Sequence, residues 1–447
     1  MKRVVAAVVM VMAFCSLSYA QSDSVEQRIQ ALEARVQALE KKLGDQDQTI
    51  RKQSSYIDEQ KDKIQGYETK LQKFDESLRR QPVGIAALSD GLKISGGATM
   101  ILQGTSNTNA TTVKKGSRAD ASYSADIVLE KEFPDIGGTF VVDLVAGKGA
   151  GLTDELSLFS GVNGDADNDE NVRVDEVWYE QKLAGERAFL TFGKLDPSGY
   201  FDTNAVANDE TTQFLADMFV NNPSIEFPGK TAGVRLTVYP VEWLGVGAGV
   251  FDADTDFEEV NSDPFAIGEV TFKPKFFGRD GNYRFLAWNS GADHTDWRDT
   301  SRTGENAYGY AVSFDQGLTD NITAFARYGW QDPNVYDPTR TTAGDLVYSL
   351  ERSWSAGLQC LGTPWGRAND IVGLAVGQAI PSGEYKKADP ARRAKNEGRL
   401  EAYYRIQVND HLSISPDFQY IWNPFGKDIA DDTSNVAVYG LRTQIDF

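Results

Sequence analysis

The stretch "VYGLRTQIDF", Val438 to Phe447, alternates without a break. In an extended chain Tyr439, Leu441, Thr443, Ile445 and Phe447 share one face, and Gly440, Arg442, Gln444 and Asp446 share the other. One face is apolar, the other is polar, and no turn residue interrupts the pattern. Such a strand needs an apolar medium on one side and water on the other.

The segments upstream repeat the pattern. Leu400, Ala402, Tyr404 and Ile406 lie opposite Glu401, Tyr403, Arg405 and Gln407, and Leu412, Ile414, Pro416, Phe418 and Tyr420 lie opposite Ser413, Ser415, Asp417 and Gln419. Earlier, Tyr308, Tyr310, Val312 and Phe314 oppose Gly309, Ala311, Ser313 and Asp315. In a soluble propeller or sandwich a second sheet would have to cover these aromatic faces. Here the polar face is the enclosed one, the reverse of a soluble core.

Counted through the chain, such segments predict sixteen strands: 91–104, 121–133, 138–147, 172–184, 186–195, 230–241, 244–253, 264–276, 281–292, 305–316, 321–331, 346–360, 370–380, 397–408, 411–422 and 434–447. The connectors alternate in length. Short ones such as "PDIGG", "AG", "VEW", "FGRDG", "LTDN" and "VNDH" exchange with long ones at 105–120, 148–171 and 196–229. Short turns on one rim and long loops on the other describe an antiparallel outer-membrane β-barrel. The barrel must close, because lipid cannot satisfy an open sheet edge. The expected class is therefore all-β, a sixteen-stranded barrel, preceded by an α-helical coiled coil. Phe447 then closes the last strand, and its aromatic side chain is expected to serve barrel assembly as well as the wall.

The first ninety residues read differently. Lys2 and Arg3, the apolar run Val4 to Phe14 and "SYA" before Gln21 describe a secretory signal peptide over 1–20. Within 21–81 a heptad runs unbroken from Val25 to Leu78: Ile29, Val36, Leu43, Ile50, Ile57, Ile64, Leu71 and Leu78 recur every seven residues. Val25, Leu32, Leu39, Gln46, Gln53, Gln60, Tyr67 and Phe74 occupy the second seam position. This is a coiled coil. Its three polar layers at Gln46, Gln53 and Gln60 suit a device that fixes register and strand number, and a three-stranded periplasmic stalk is expected. At about 1.5 Å per residue it would reach roughly 80 Å. A linker at 82–90 leads to the barrel at 91–447.

Composition excludes several functions. Of two cysteines only Cys360 lies beyond the signal segment, so no intrachain disulfide is expected. There are two histidines, at 294 and 411, and no Ser/His/Asp set or phosphate-cradling glycine loop, so no enzyme is expected. A net charge of −20, with acids and bases equal in the stalk, disfavours nucleic acid and places the excess acid on the barrel and its loops. Acidic rims would hold divalent cations against lipopolysaccharide and tilt ion flow toward cations.

Parity assigns inward positions to Glu176, Trp178, Arg235, Glu269, Arg284, Trp288, Arg327, Glu401, Arg405, Asp417 and Arg442. Mixed charges with aromatics suit hydrogen bonding and stacking to a neutral polyol. The connector 195–229, "LDPSGYFDTNAVANDETTQFLADMFVNNPSIEFPG", carries apolar anchors (Phe201, Phe214, Leu215, Phe219) beside Asp202, Asn204, Asn208, Asp209, Glu210 and Gln213. A freely solvated loop has no use for such anchors, so this loop is expected to fold into the channel and narrow it.

With "GKLDPSGYFDTNAVANDETTQFL" (193–215) and "EGRLEAYYRIQVNDHLSISPDFQYIWNP" (397–424), the chain resembles carbohydrate-selective porins of the OprB type over about 85–447. The resemblance implies a sixteen-stranded outer-membrane porin, often trimeric, passing monosaccharides such as glucose by passive diffusion. The coiled coil departs from the simplest members. Two alternatives remain open: a general or cation-preferring diffusion porin, and a structural tether whose coiled coil contacts the cell wall.

One acidic segment invites a metal. "DADNDENVRVDE" (165–176) puts Asp165, Asp167, Asp169 and Glu176 at the first, third, fifth and twelfth places of a calcium loop, with Val172 at the apolar eighth. Glu170 stands where glycine is needed, and 172–176 already reads as strand. An acidic outer loop is the favoured reading, and no cofactor is expected.

Overall fold

The computed structural model describes residues 91–447 except 277, 344 and 429–433, together with six isolated helical positions, Ile29, Gln30, Glu33, Val36, Gln53 and Lys61. The chain divides into two units, residues 1–90 and 91–447. In the first, the seam residues Ile29 and Val36 are helical and about half exposed on the single chain. The signal segment, the remaining heptad positions and the linker lie outside the described residues.

The second unit is a closed antiparallel barrel of sixteen long strands. They are β1 (Leu92–Thr105), β2 (Arg118–Phe133), β3 (Gly138–Lys148), β4 (Arg173–Leu183), β5 (Ala188–Leu195), β6 (Thr231–Val241), β7 (Leu244–Asp252) and β8 (Pro264–Phe272), then β9 (Arg279–Asp296), β10 (Glu305–Gly317), β11 (Ile322–Gln331), β12 (Leu350–Gly362), β13 (Arg367–Pro381), β14 (Glu397–Asn409), β15 (Leu412–Trp422) and β16 (Val436–Asp446). Each pairs with its sequence neighbours, and β16 closes on β1 from Gly97 opposite Asp446 to Thr105 opposite Val438. Two further hydrogen bonds tie Gly96 to Phe447 in both directions. With every edge paired, no backbone group of the wall faces lipid unsatisfied.

Strand edges depart from the sequence expectation by four residues at most. The eighth strand stops at Phe272 because Pro274 lacks the N–H that would continue the ladder. Residues 275–276 then pair separately with 279–280. The twelfth starts at Leu350, since the segment before it forms a rim loop with a single bridge, Thr341 to Val347.

Alternation sorts the side chains as the terminal strand predicts. Met100, Leu102, Tyr308, Tyr310, Tyr439 and Leu441 are exposed on the outer face, whereas Ser313, Ser353, Ser413, Ser415 and Gln419 are buried on the inner one. Short turns occupy one rim. At 184–186 three successive residues have positive φ, with Gly185 between Ala184 and Glu186, the tight geometry a two-strand hairpin needs. Long loops gather at the other rim, and two of them leave it for the lumen.

Candidate functional site

The loop at 196–230 lies inside the barrel. Phe214 is wholly buried against Tyr403, Phe325 and Phe219, with ring centroids 5.0, 5.6 and 5.5 Å away. Phe201 packs edge-on to Phe251 on β7. A Cβ on Gly249 would come within 3.1 Å of the Phe201 ring, so the inward glycines of β7 make the space this anchor fills. Burying each such ring contributes about 1.5–3 kcal/mol, which offsets the ordering of irregular backbone.

That backbone also needs hydrogen-bond partners, and the wall supplies them with charge. Glu401, with no exposed surface, accepts from Leu215 N (2.6 Å) and Ala216 N (3.0 Å). Arg327 donates to the carbonyls of Phe219 and Asp202, both at 2.8 Å, and to Asn208 Oδ1, and its Nε lies 3.1 Å from the buried Asp202 carboxylate. Arg442 donates to the carbonyls of Glu210 (2.6 Å) and Gln213 (2.9 Å). Glu269 accepts from Asp202 N. Arg284 pairs with Asp315 at 2.8 Å, and Asp315 also accepts from Ala205 N. Asn204 reaches the carbonyl of Phe314, Asp209 accepts from Thr211 N, and the Gln213 side chain accepts from Asn208 N.

The 149–172 loop folds inward too, which the sequence reading did not anticipate. Phe159 and Val162 are buried at 1 % exposure. Gln103 and Gln419 both donate to Val162 O, and Arg399 donates to the carbonyls of Ser160 and Gly161. The available signal was the cluster Leu156, Leu158, Phe159 and Val162, overshadowed by the acidic run behind it.

The inward-parity residues thus divide. Glu269, Arg284, Arg327, Glu401, Asp417 and Arg442 are buried, most of them bonded to the 196–230 loop. Trp288 is 4 % exposed and stacked on Phe265 at 5.9 Å, inside a hydrophobic cluster. Glu176, Trp178, Arg235 and Arg405 stay half-buried. Arg235 pairs with Glu180 at 2.7 Å and lies 3.8 Å from the centre of the Tyr200 ring.

On the uncovered wall a line of carboxylates crosses the strands. Asp446 and Asp126 flank Gly97 from either side, and Asp143 is directly opposite Glu176. A Cβ at Gly97 would lie 3.0 Å from Gln444 Nε2 and 3.1 Å from Asp126 Oδ1, so the glycine gives these two side chains room. Nearby bases are taken by other acids, Arg235 by Glu180, Lys230 by Asp175 and Arg173 by Asp167. Above, the loops enclose a cavity of about 1290 Å³ whose lining holds eight carboxylates against Lys230, Arg340 and His294. On the 196–230 loop, burial pushes the Glu210 carboxyl up to about 7, and on the 149–172 loop it pushes Asp165 up to about 6.

The calcium-type residues are not brought together. Asp165 accepts from Ser124, Asp167 pairs with Arg173, Asp169 accepts from Asn171 and Glu176 accepts from Asp196 N. Each carboxylate has its own partner, and their segment runs into β4. Among the described residues the acids close enough to share an ion are Asp252, Asp254 and Asp256, on the rim after β7.

Against this geometry, the family model of OprB carbohydrate-selective porins matches residues 119–447. The chain belongs to the OprB family. Family and barrel fold support a place in the outer membrane. The high-pH structure of Pseudomonas putida OprB superposes with a TM-score of 0.67 at 18 % identity, covering 81 % of this chain and 96 % of that one, a likeness of fold. An uncharacterized protein of Aquifex aeolicus is 23 % identical over 265 residues, 59 % of this chain and 66 % of that protein. Porin AaxA of Chlamydia trachomatis is 20 % identical over 303 residues, 66 % of this chain and 60 % of the porin. The chain therefore spans less than two thirds of the length of these curated relatives.

Proposed function

We propose that the chain is a porin through which small carbohydrates diffuse passively. The observation that carries this reading is a closed barrel whose lumen is narrowed, not filled. Two loops are bound mainly to the wall from β7 to β16, and on β2 to β6 the inward Asp126, Asp143, Glu176, Glu180 and Arg235 stay half-buried beside them. A neutral polyol there meets Asp126, Asp143, Glu176, Glu180 and Arg235 as hydrogen-bond partners, with Trp178 and Tyr200 offering aromatic faces. Family membership supports sugars as the solute class. Assembly as a trimer through a periplasmic coiled coil belongs to the same proposal. Its support is the heptad and the half-exposed seam residues Ile29 and Val36, which need partner helices.

The carboxylate line favours a second reading, a channel that also prefers cations. Liposome swelling separates the two. The sugar reading expects monosaccharides to enter faster than amino acids or organic anions of matched size. Rates that follow size alone would reject it, and rates that follow positive charge would favour the second.

A further inference from the structure

We propose that Arg399 is the positioning residue that locks the 149–172 and 196–230 loops into one plug and so sets the width of the passage. The inference rests on the porin reading. Arg399 is wholly buried on β14, and its guanidinium is spent on loop backbone, one nitrogen on Ser160 O and another on Gly161 O. Gly161 is a three-way joint. Its carbonyl also accepts from Asp217 N (3.3 Å), and its own N–H donates to Asp217 Oδ2 (3.0 Å). Asp217 belongs to the other loop. A second tie runs beside it, from Gly164 N to Leu215 O at 2.8 Å.

Two residues earlier on the same face of β14, Glu397 has no exposed surface either. It accepts from Phe159 N (3.0 Å) and from Phe425 N (2.7 Å), and its other oxygen lies 3.8 Å from Arg399. One cation therefore sits among the buried Glu397, the half-buried Asp217 and two loop carbonyls. Without it, Glu397 keeps its burial and loses its counter-charge, a costly state that undocking relieves. The wall does not depend on this side chain, because β14 is held by backbone pairing to β13 and β15.

The test is single-channel conductance of the full chain in planar bilayers, with liposome swelling by a monosaccharide and a trisaccharide. Arg399→Met should raise conductance about two-fold and admit the trisaccharide, and Arg399→Lys should fall between it and the native chain. Gly161→Ala checks the joint without touching the barrel, since its Cβ would lie 2.4 Å from Asp217 Oδ2. It should widen the channel in the same direction. If both variants fold and keep native conductance and size limit, the proposal is overturned. If Arg399→Met fails to fold, Gly161→Ala decides alone. A native chain that gives no conductance steps would instead defeat the porin reading.

Discussion

The two sides of the lumen carry similar residue types and use them differently. Along β9 to β15, inward charges such as Arg327, Arg399 and Glu401 are buried and hydrogen-bonded to loop backbone. On β2 and β3 the inward Asp126 and Asp143 stay half-buried, while the loop ties thin out to Arg442 on β16 and Glu176 on β4. An inward charge in this barrel is thus a tie or a contact according to whether a loop covers it, and its alternation cannot say which.

The comparison breaks most readily at Arg327. Arg327→Met leaves Asp202 as a buried, unpaired carboxylate, and removing one partner of such a pair costs about 3–5 kcal/mol. The expected outcome is a 196–230 loop open to proteolysis, with raised conductance and an intact barrel. A protease-resistant loop would show that the covered wall is not held by its charges.

The opposite wall should respond in selectivity and not in stability. Asp126→Asn with Asp143→Asn is expected to lower the cation-to-anion permeability ratio several-fold, read from reversal potentials in a salt gradient, with little change in thermal stability. An unchanged ratio would mean that solutes do not pass along this wall.

Acidity provides a gentler lever. Glu210 and Asp165 titrate above the usual carboxylate range in the folded chain, so their neutral forms favour the docked loops. That contribution is complete below about pH 4 and is lost as pH rises through about 6 to 7. Between pH 8 and pH 5, cation preference and current noise should both fall. A rise in noise on acidification would contradict the burial of these two groups.

The smallest effect is expected at Arg235, which is paired but borders the passage. Arg235→Gln should change the monosaccharide rate relative to a size-matched neutral solute by about two-fold and leave the size limit alone.

Much of this architecture was legible in the sequence. The strands follow from alternation, because lipid outside and water inside impose one period on every wall segment. The inward course of 196–230 followed from Phe201, Phe214, Leu215 and Phe219, apolar residues that an outer loop has no use for. The course of 149–172 was missed because the acidic run 165–176 drew the reading outward, whereas Phe159 and Val162 decide where the loop rests. Arg399 and Glu397 shared the parity of Glu401, but their role depends on which wall the loops choose. That choice is made between residues some 240 positions apart, such as Gly161 and Arg399, and no local pattern records it.

The most direct measurement of the two-wall account is thiol accessibility in a Cys360→Ser background. Val145→Cys lies on the uncovered wall and Ala375→Cys lies beneath the loops at 1 % exposure. A water-soluble methanethiosulfonate should modify the first quickly and reduce conductance, and leave the second unmodified. Equal modification of both, or protection of the first alone, would contradict the account.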